Sequence, residues 1–534
     1  MSRLSEVSVG VLRSPALRSL VIVGVGTSLF LGAARLFGAS PKPVPPVKFP
    51  PVGFLAYEIH DADSGDLIPA KLTLLGAEGT PDPRFTKGDI GREESGAVAA
   101  YNRLFALAGA GIVVVPAGTY DVWVSRGLEW DIATVKKLRI DDKKVATVQA
   151  KLRHVVDTPG WISADFHVHA APSPDSVVPL RDRVYEFVSD GVEIITATDH
   201  KVVSSYGPEI AELGVGDLIT DISGDELTTN GWGHFGAFPL PQSREESGHG
   251  AIHLHGHAPE DWFAEVRDRA PDAVINVHHP RIDNEIGYFN LGRLNSETDE
   301  SERPGFSFDF DAVEVLNGYQ DPDRRSVDHV ISDWMQLIDH GHLVTATGNS
   351  DTHHLTHNLG GYPRNYVAVE DDRPAHVTPQ QIARAVKARH LFFTTGPILS
   401  LQVAGGHIGD VVVAKGGKAE VQVTVRAAPW ISVSRATLYV NGVEEKRWTI
   451  PETTDVERLK DTIEIAVSRD SFVFLRADGD RPLAPIVGDL RRFDVRPFAM
   501  TNPIFLDVDG HPGFDAPKAH GGHKQIKRWQ ARNR

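Results

Sequence analysis

The chain predicts a multidomain α/β plus β fold: a central barrel-like α/β region flanked by an N-terminal and a C-terminal β-sandwich. Three observations carry that expectation. Between about 157 and 396, apolar runs of strand length alternate with helical pieces, and most of the runs end in His, Asp or Glu. On either side, short β-type runs separated by turn residues recur with the spacing of small sandwiches. The length, 534 residues, exceeds one domain of ordinary size, taken as roughly 150 residues.

Residues 1–40 open the chain with Arg3, Arg13 and Arg18, then the apolar run LVIVGVGTSLFLGAA. The expectation is a signal peptide or, if uncleaved, an N-terminal membrane anchor, and so an extracytoplasmic protein, periplasmic or secreted. The Pro-rich stretch at 41–51 follows at once and reads as a stiff extended linker. From 52 to 156, runs such as FLAYEIHD, AKLTLLG and IVVVPAGTYDVWVSRG predict the first sandwich, with no cluster of catalytic residue types in it.

The central region, 157–396, begins with WISADFHVHAAPSPDSVVPLRDRVYEFVSDGVEIITATDH. Its first strand delivers His167 and His169, which at period two project from one face. Pro179 to Asp190 reads as a helix with Pro at its start and Gly191 at its end. A second strand stops at Asp199 and His200, completing a βαβ unit with donors at the carboxyl ends of both strands. Further runs follow in LITDISGDELTT, HFGAFPL, AVINVHHP, FDAVEVLNG and HLVTATGNSDTH. Helices are expected over PEDWFAEVRDRA, over RRSVDHVISDWMQLIDHG with Gly341 as a stop, and over TPQQIARAVKARH, where Thr378 and Gln381 fit a capping box. Residues 397–508 return to β-type runs, and 509–534 read as a flexible basic tail.

Composition narrows the function. With 71 acidic against 55 basic residues the formal charge is -16, so a nucleic-acid partner is not expected and a small-molecule substrate is. The absence of cysteine excludes disulfides, thiolate metal sites and a cysteine nucleophile. Most of the 24 histidines fall between His154 and His357, which makes the central region the chemical one.

The strand-end residues are His167, His169, Asp175, His200, Glu226, His234, His279, Asp351 and His353. All are nitrogen or oxygen donors, too many for one ion and suited to two or three divalent ions, with Glu226 as the bridging carboxylate. Zinc, manganese and iron all suit such a set. Asp199 is expected to orient a ligand histidine. Lys201 and Arg281 follow ligands closely enough to meet an anionic substrate, with a surface ion pair as the alternative for each. His354 and His357 are candidate general acids. The insertion ESGHGAIHLHGH carries His249, His253, His255 and His257 and reads either as a lid or proton shuttle or as a flexible polar loop.

HVH, TDH, the lone Glu of GDELTT, HHP and SDTH, in that order, resemble the successive motifs of the PHP (polymerase and histidinol phosphatase) superfamily of metallohydrolases. The wider arrangement, with DTPGW leading into the first motif and RHLFFTTGP closing the region, is similar to the CehA/McbA-type metallohydrolases. The resemblance implies a distorted (β/α)7 barrel with a di- or trinuclear hydrolytic centre. It places His167, His169, Glu226 and Asp351 on one ion, with Glu226 reaching a second ion completed by His234 and His279. Asp175, His200 and His353 would form a third site; Asp175 stands where many family members have histidine. His278 is the alternative to His279, although Pro280 follows the pattern of a ligand just before proline. The implied activity is hydrolysis of a phosphoester or of a carbamate, ester or amide. The competing reading is a non-catalytic extracytoplasmic binding protein that keeps metals for folding.

Overall fold

The computed structural model describes residues 51–516 apart from 87–90, 284, 319–324, 357, 489–493 and 511–512. The segment 1–40, nearly all of the linker at 41–51 and most of the tail at 509–534 lie outside the described residues. Among the described residues no helix is long and apolar enough to cross a membrane.

The chain is mixed α/β and mostly β. In the N-terminal region Val52–Asp61 buries alternate side chains. It lies antiparallel to Ala110–Pro116 and parallel to Val145–Leu152 in a three-stranded sheet. A six-stranded sheet faces it, and Leu55, Tyr57 and Ile59 from the first share one core with Leu72, Leu104, Val122 and Val124 from the second. Lys71, in that second sheet, is fully buried and lies 2.6 Å from Asp190 in the central region.

In the central region β1 (Trp161–Val168), β2 (Ile194–Ala197) and β3 (Thr220–Ser223) pair in parallel. The helices α1 (Leu180–Ser189) and α2 (Gly207–Leu213) connect them. β4 (Asp225–Thr229) and β5 (Gly233–Phe238) form a hairpin, and β5 runs antiparallel to β6 (Val274–Val277). β6, β7 (Ala312–Asn317) and β8 (Thr345–Asn349) are parallel again, with α3 (Pro259–Arg269) leading into β6 and α4 (Arg325–Asp339) crossing from β7 to β8. β9 (Arg364–Ala368) lies antiparallel to β1 and to β10 (Leu391–Thr394), with α5 (Pro379–Lys387) between β9 and β10. Thr378 and Gln381 close the capping box at α5, each side chain accepting from the other's backbone N–H.

A regular (β/α)7 barrel is not evident in these ladders. The strands fall into two sheets, β3-β2-β1-β9-β10 and β4-β5-β6-β7-β8, joined by single bridges between Val168 and Thr352 and between His200 and Glu226. Two features account for the break. Gly224 separates β3 from β4, and a Cβ there would sit 2.8 Å from Ala237 O, so the chain bends at a residue that has none. Between β1 and β8, side-chain amides replace part of the ladder: Asn349 accepts from Phe166 N, and Asn365 donates to Ala164 O and Gly348 O. Both sheets nevertheless contribute to one apolar cluster, with Ile162 and Phe166 of β1 against Ile194, Ile222, Phe238, Val274 and Ala312. Each such buried side chain contributes about 1.5–3 kcal/mol. The cluster fills one end of the strands and leaves the other end for polar groups.

The first sheet continues past residue 397 without a break. β10 pairs with Phe498–Thr501, which pairs with Ser471–Asp478, and then come Arg435–Val440 and Val443–Thr449. All four residues of β10 are buried, so the strand has neighbours on both edges and cover on both faces. A four-stranded sheet built on Ile398–Val403, Lys418–Arg426 and Glu457–Ala466 packs over this extension, with Leu401, Val423 and Val425 against Leu438, Val473 and Leu475.

Candidate metal centre

The site is built where the strands of both sheets end. β1 places His167 and His169, both fully buried, on one side of the strand, and backbone bonds from Asp351 N to His167 O (2.9 Å) and from His169 N to Thr352 O (3.1 Å) draw Asp351 beside them. β2 leads to His200, and Glu226 N donates to Asp199 O (3.1 Å), which brings the start of β4 alongside. The β4–β5 hairpin sets His234 opposite Thr228, and the end of β6 leads to His278 and His279. Asp351 (φ 53°), His279 (φ 28°) and Lys201 (φ 58°) all adopt positive φ, a conformation costly for residues other than glycine and concentrated at functional sites.

Glu226 is the hub. Its carboxylate lies 3.0 Å from His167 Nε2, 2.7 Å from His200 Nδ1, 3.4 Å from His234 Nδ1, 3.6 Å from His169 Nε2 and 3.8 Å from His279 Nε2. Asp351 Oδ1 is 3.2 Å from His167 Nε2 and 3.3 Å from His169 Nε2. Asp175 Oδ2 lies 2.9 Å from His200 Nε2 and 3.3 Å from His353 Nε2. The nine donors thus form four overlapping sets: His167, Glu226 and His279; His167, His169 and Asp351; His200, Glu226 and His234; and His169, Asp175, His200 and His353. Within each set the ligand atoms lie within 4.8 Å of one another.

Two properties of this set fit divalent cations. His167 Nε2, His169 Nε2, His279 Nδ1 and Glu226 Oε2 are buried without a hydrogen bond. Leaving such groups unmet costs about 1–3 kcal/mol each, and a cation among them removes that cost. The electrostatics agree. Burial opposes ionisation of Glu226, yet the imidazoles of His167, His234 and His200 hold its carboxyl well below the usual range. Burial likewise opposes ionisation of Asp351, and His167 and His169 hold it low. Burial and the neighbouring His353 bring His169 down to about 3, and burial with His234 brings His279 down to about 4. His169 and His279 are thus neutral, as metal binding requires. Burial opposes the charge on His167, yet Asp351, Glu226 and Glu314 hold it well above the usual range, and against the same effect of burial Glu226 and Asp175 raise His200 to about 10. Those protons are the ones a cation would displace.

The imidazoles of His167, His169 and His200 each meet a second group at Nδ1. Glu314, fully buried in the middle of β7, lies 3.1 Å from His167 Nδ1 and accepts from His279 N (2.8 Å) and Asn349 Nδ2 (2.9 Å). Its carboxyl falls to about 2 because His167 outweighs the effect of burial. Ser173 Oγ lies 3.0 Å from His169 Nδ1, and Thr228 Oγ1 is in contact with His200 Nδ1. Arg183 of α1 donates twice to His169 O, at 3.2 and 3.0 Å. Asp165 accepts from Ser350 N (3.1 Å) and Gly361 N (2.8 Å), pinning the loop that carries Asp351. His278 lies 2.7 Å from Glu226 through Nδ1 and stacks on His167 at 3.5 Å between ring centroids.

Five further expectations meet different outcomes. Asp199 does not orient an imidazole: its Oδ1 accepts from Ala170 N (2.7 Å) and its other oxygen is held by Ser204, so it fixes the backbone after His169. Arg281 is not available to a substrate. Its guanidinium bonds Asp333 at 2.8 and 3.2 Å, Asn290 and Leu294 O, and the ion-pair alternative is the one found. Lys201 is exposed and lines a cleft beside the centre. The His354 ring lies 6.3 Å from that of His353, whereas His357 is outside the described residues. The insertion after β5 is anchored, not loose, through Val203 N to Gly248 O (2.9 Å) and Ser243 N to His249 O (2.8 Å).

No protein-family model matches the chain, and no curated protein is similar to it. Among solved structures, a candidate metal-dependent phosphoesterase from Bifidobacterium adolescentis is similar at 14% identity and a TM-score of 0.26, over 42% of this chain and 96% of that one. The CARDB domain of a Pyrococcus furiosus protein is similar at 21% identity and a TM-score of 0.15, over 21% of this chain and 97% of its own. The same domain in complex with di-metal ions gives 21% identity, a TM-score of 0.14, and coverage of 21% and 96%. At these scores the chemistry of the site rests on its own geometry.

Proposed function

We propose that the chain is an exported metal-dependent hydrolase of the PHP superfamily, of the CehA/McbA type, acting on a phosphoester or on a carbamate, ester or amide. The central region is then a (β/α)7 barrel distorted where Gly224 and the asparagine pair interrupt it. One observation carries the reading: nine imidazole and carboxylate donors from separate strand ends converge in overlapping sets around Glu226. His167, His169, Glu226, Asp351, His234 and His279 would hold two ions, and Asp175, His200 and His353 a third. Zinc, manganese or iron bound there supplies Lewis acidity and a water of lowered pKa.

The protein's own part is positioning. The carboxylate of Glu314 can only accept from His167 Nδ1, which fixes the tautomer that leaves Nε2 as the donor. Glu226, at the centre, faces imidazoles on both sides, one carboxylate oxygen toward His167 and the other toward His200. The fully buried His167 and His169 exclude water from the inner wall, while Asp175 opens the other wall to solvent. Export rests on the segment 1–40 and makes the working location extracytoplasmic.

The test is elemental analysis of purified protein paired with a panel of aryl phosphomonoesters, phosphodiesters, carbamates and neutral esters. At least two divalent ions per chain and turnover of one class are expected, with metal and turnover both lost in His167→Ala. Full turnover by a metal-free His167→Ala protein would overturn the reading. Turnover of a neutral aryl ester or carbamate with no phosphatase activity assigns the carbonyl branch.

A further inference from the structure

Asn317, the last residue of β7, is 1% exposed and stands beside the donor cluster without belonging to it. Its Nδ2 donates to Glu314 Oε2 (2.9 Å) and to Asp351 Oδ2 (3.1 Å). Both partners are carboxylates held low by the neighbouring imidazoles against the effect of burial. An ionised carboxylate accepts and does not donate, so the amide can turn only its NH₂ end toward them.

The strand is irregular at the point that makes this bridge possible. Residues three apart on a regular strand face opposite sides of the sheet. β7 pairs with β8 through Glu314 opposite Thr347 and then Leu316 opposite Gly348, so one extra residue stands on β7 between those pairs. That bulge turns Asn317 to the side of Glu314. Beyond it Asn317 lies opposite Asn349, Gly318 N donates to Asn349 O (3.0 Å), and a Cβ on Gly318 would sit 2.2 Å from Ser350 O. The end of β7 is therefore fixed against the loop that delivers Asp351.

The consequence falls on Asp351, whose two oxygens do different things. Oδ1 faces the imidazoles, 3.2 Å from His167 Nε2 and 3.3 Å from His169 Nε2, whereas Oδ2 is the one held by Asn317. A carboxylate held in this way offers an ion one oxygen. Zinc, which takes few ligands, is suited by that, whereas manganese, which favours octahedral oxygen sites, gains from a carboxylate free to turn both oxygens toward it.

We propose that Asn317 is a positioning residue of the metal centre: it turns Asp351 to bind through Oδ1 alone and so biases the site shared with His167 and His169 toward zinc over manganese. The proposal rests on the metal-binding half of the reading above and not on hydrolysis.

The experiment sets zinc and manganese in competition for the full chain by equilibrium dialysis, and counts oxygen ligands on bound zinc by X-ray absorption. It is run on the wild type, Asn317→Ala, Asn317→Leu and Asn365→Ala. In Asn317→Ala the ratio of zinc to manganese affinity is expected to fall by about 10–100-fold, the range for removing a ligand's orienting partner, and the oxygen count on zinc to rise. Asn317→Leu keeps the shape of the side chain without its N–H donors and should do the same, so poor folding of the alanine variant does not decide the matter. Asn365→Ala removes a buried amide that bonds Ala164 O, Gly348 O and Asn349 Oδ1 and none of the metal-ligating residues, and it should leave both readings at wild-type values. An unchanged ratio in both Asn317 variants, an equal loss of the two metals, or an equal shift in Asn365→Ala overturns the proposal. A wild type that binds neither metal overturns it together with the proposed function. A wild type that binds metal and hydrolyses nothing, with the shift present in the Asn317 variants, keeps the positioning role and sinks only the hydrolase.

Discussion

Leaving aside His234, the donors divide into an inner and an outer group that solve the same problem differently. The inner group, His167, His169, Glu226, His279 and Asp351, is buried, and four of its donor atoms have no hydrogen bond. The outer group, Asp175, His200 and His353, pairs within itself: Asp175 reaches both imidazoles, and its side chain is 50% exposed. The inner imidazoles of His167 and His169 reach only buried carboxylates, at 3.0 and 3.3 Å, and no water, while the outer donors pair with one another and also reach water. On the proposed reading an ion therefore gains more at the inner positions than at the outer one.

The sharpest way to break this contrast is to compare Asp351→Ala with Asp175→Ala. The first should lose inner-site metal and lower kcat/KM by more than about 100-fold, beyond the range seen when a mere orienting partner is removed. The second should keep the inner ions and lose less than about tenfold. Equal metal loss in the two, read by elemental analysis after dialysis, would abolish the distinction. Glu314→Gln probes the inner group one layer out. Because the amide can present its NH₂ to His167 Nδ1 as readily as its oxygen, the tautomer is no longer fixed, and metal affinity measured by chelator competition should fall by about 10–100-fold.

The smallest effect is expected at the opposite end of β2. There Glu193, bonded by Ser163 N (2.8 Å) and Ser163 Oγ (2.9 Å), is pushed up to about 7, first by burial and then by Glu129. Its folded value lies above the unfolded value of about 4.3, so the folded state binds the proton more tightly. This contribution to stability is complete below the unfolded value and is lost as pH rises through about 7. Glu193→Gln should flatten the fall in urea stability between pH 5 and pH 8 and leave metal content unchanged. Metal loss in that variant would mean that the two ends of the strands are coupled.

How far the site was legible in the sequence depends on what each residue's role requires. An HxH at the end of a strand declares itself, because period two puts both imidazoles on one face whatever the rest of the chain does. Glu314 carries as plain a mark: a single carboxylate inside AVEVLN, where every residue is buried, needs a partner. Arg281 and Asp199 show the converse error. Standing one or two residues from a ligand fixes no direction, and the chain turns at His279 so that Arg281 leaves toward Asp333. The closure of the central strands could not be read from local pattern either, since it turns on Gly224 and on asparagine side chains standing in for backbone partners.

The Lys71–Asp190 pair has a consequence for how this protein can be divided. The lysine comes from the N-terminal sheet, and the carboxylate belongs to the C-cap residue of the helix that follows the Asp175 loop; both are sealed from solvent. Tyr362 adds a third contact, its hydroxyl 3.2 Å from Asp190. A fragment trimmed to begin at Trp161 would inherit the acid without its counter-ion and without the sheet that seals it. Recombination that swaps front modules among such proteins must therefore bring a lysine to this spot or replace the aspartate at the same time.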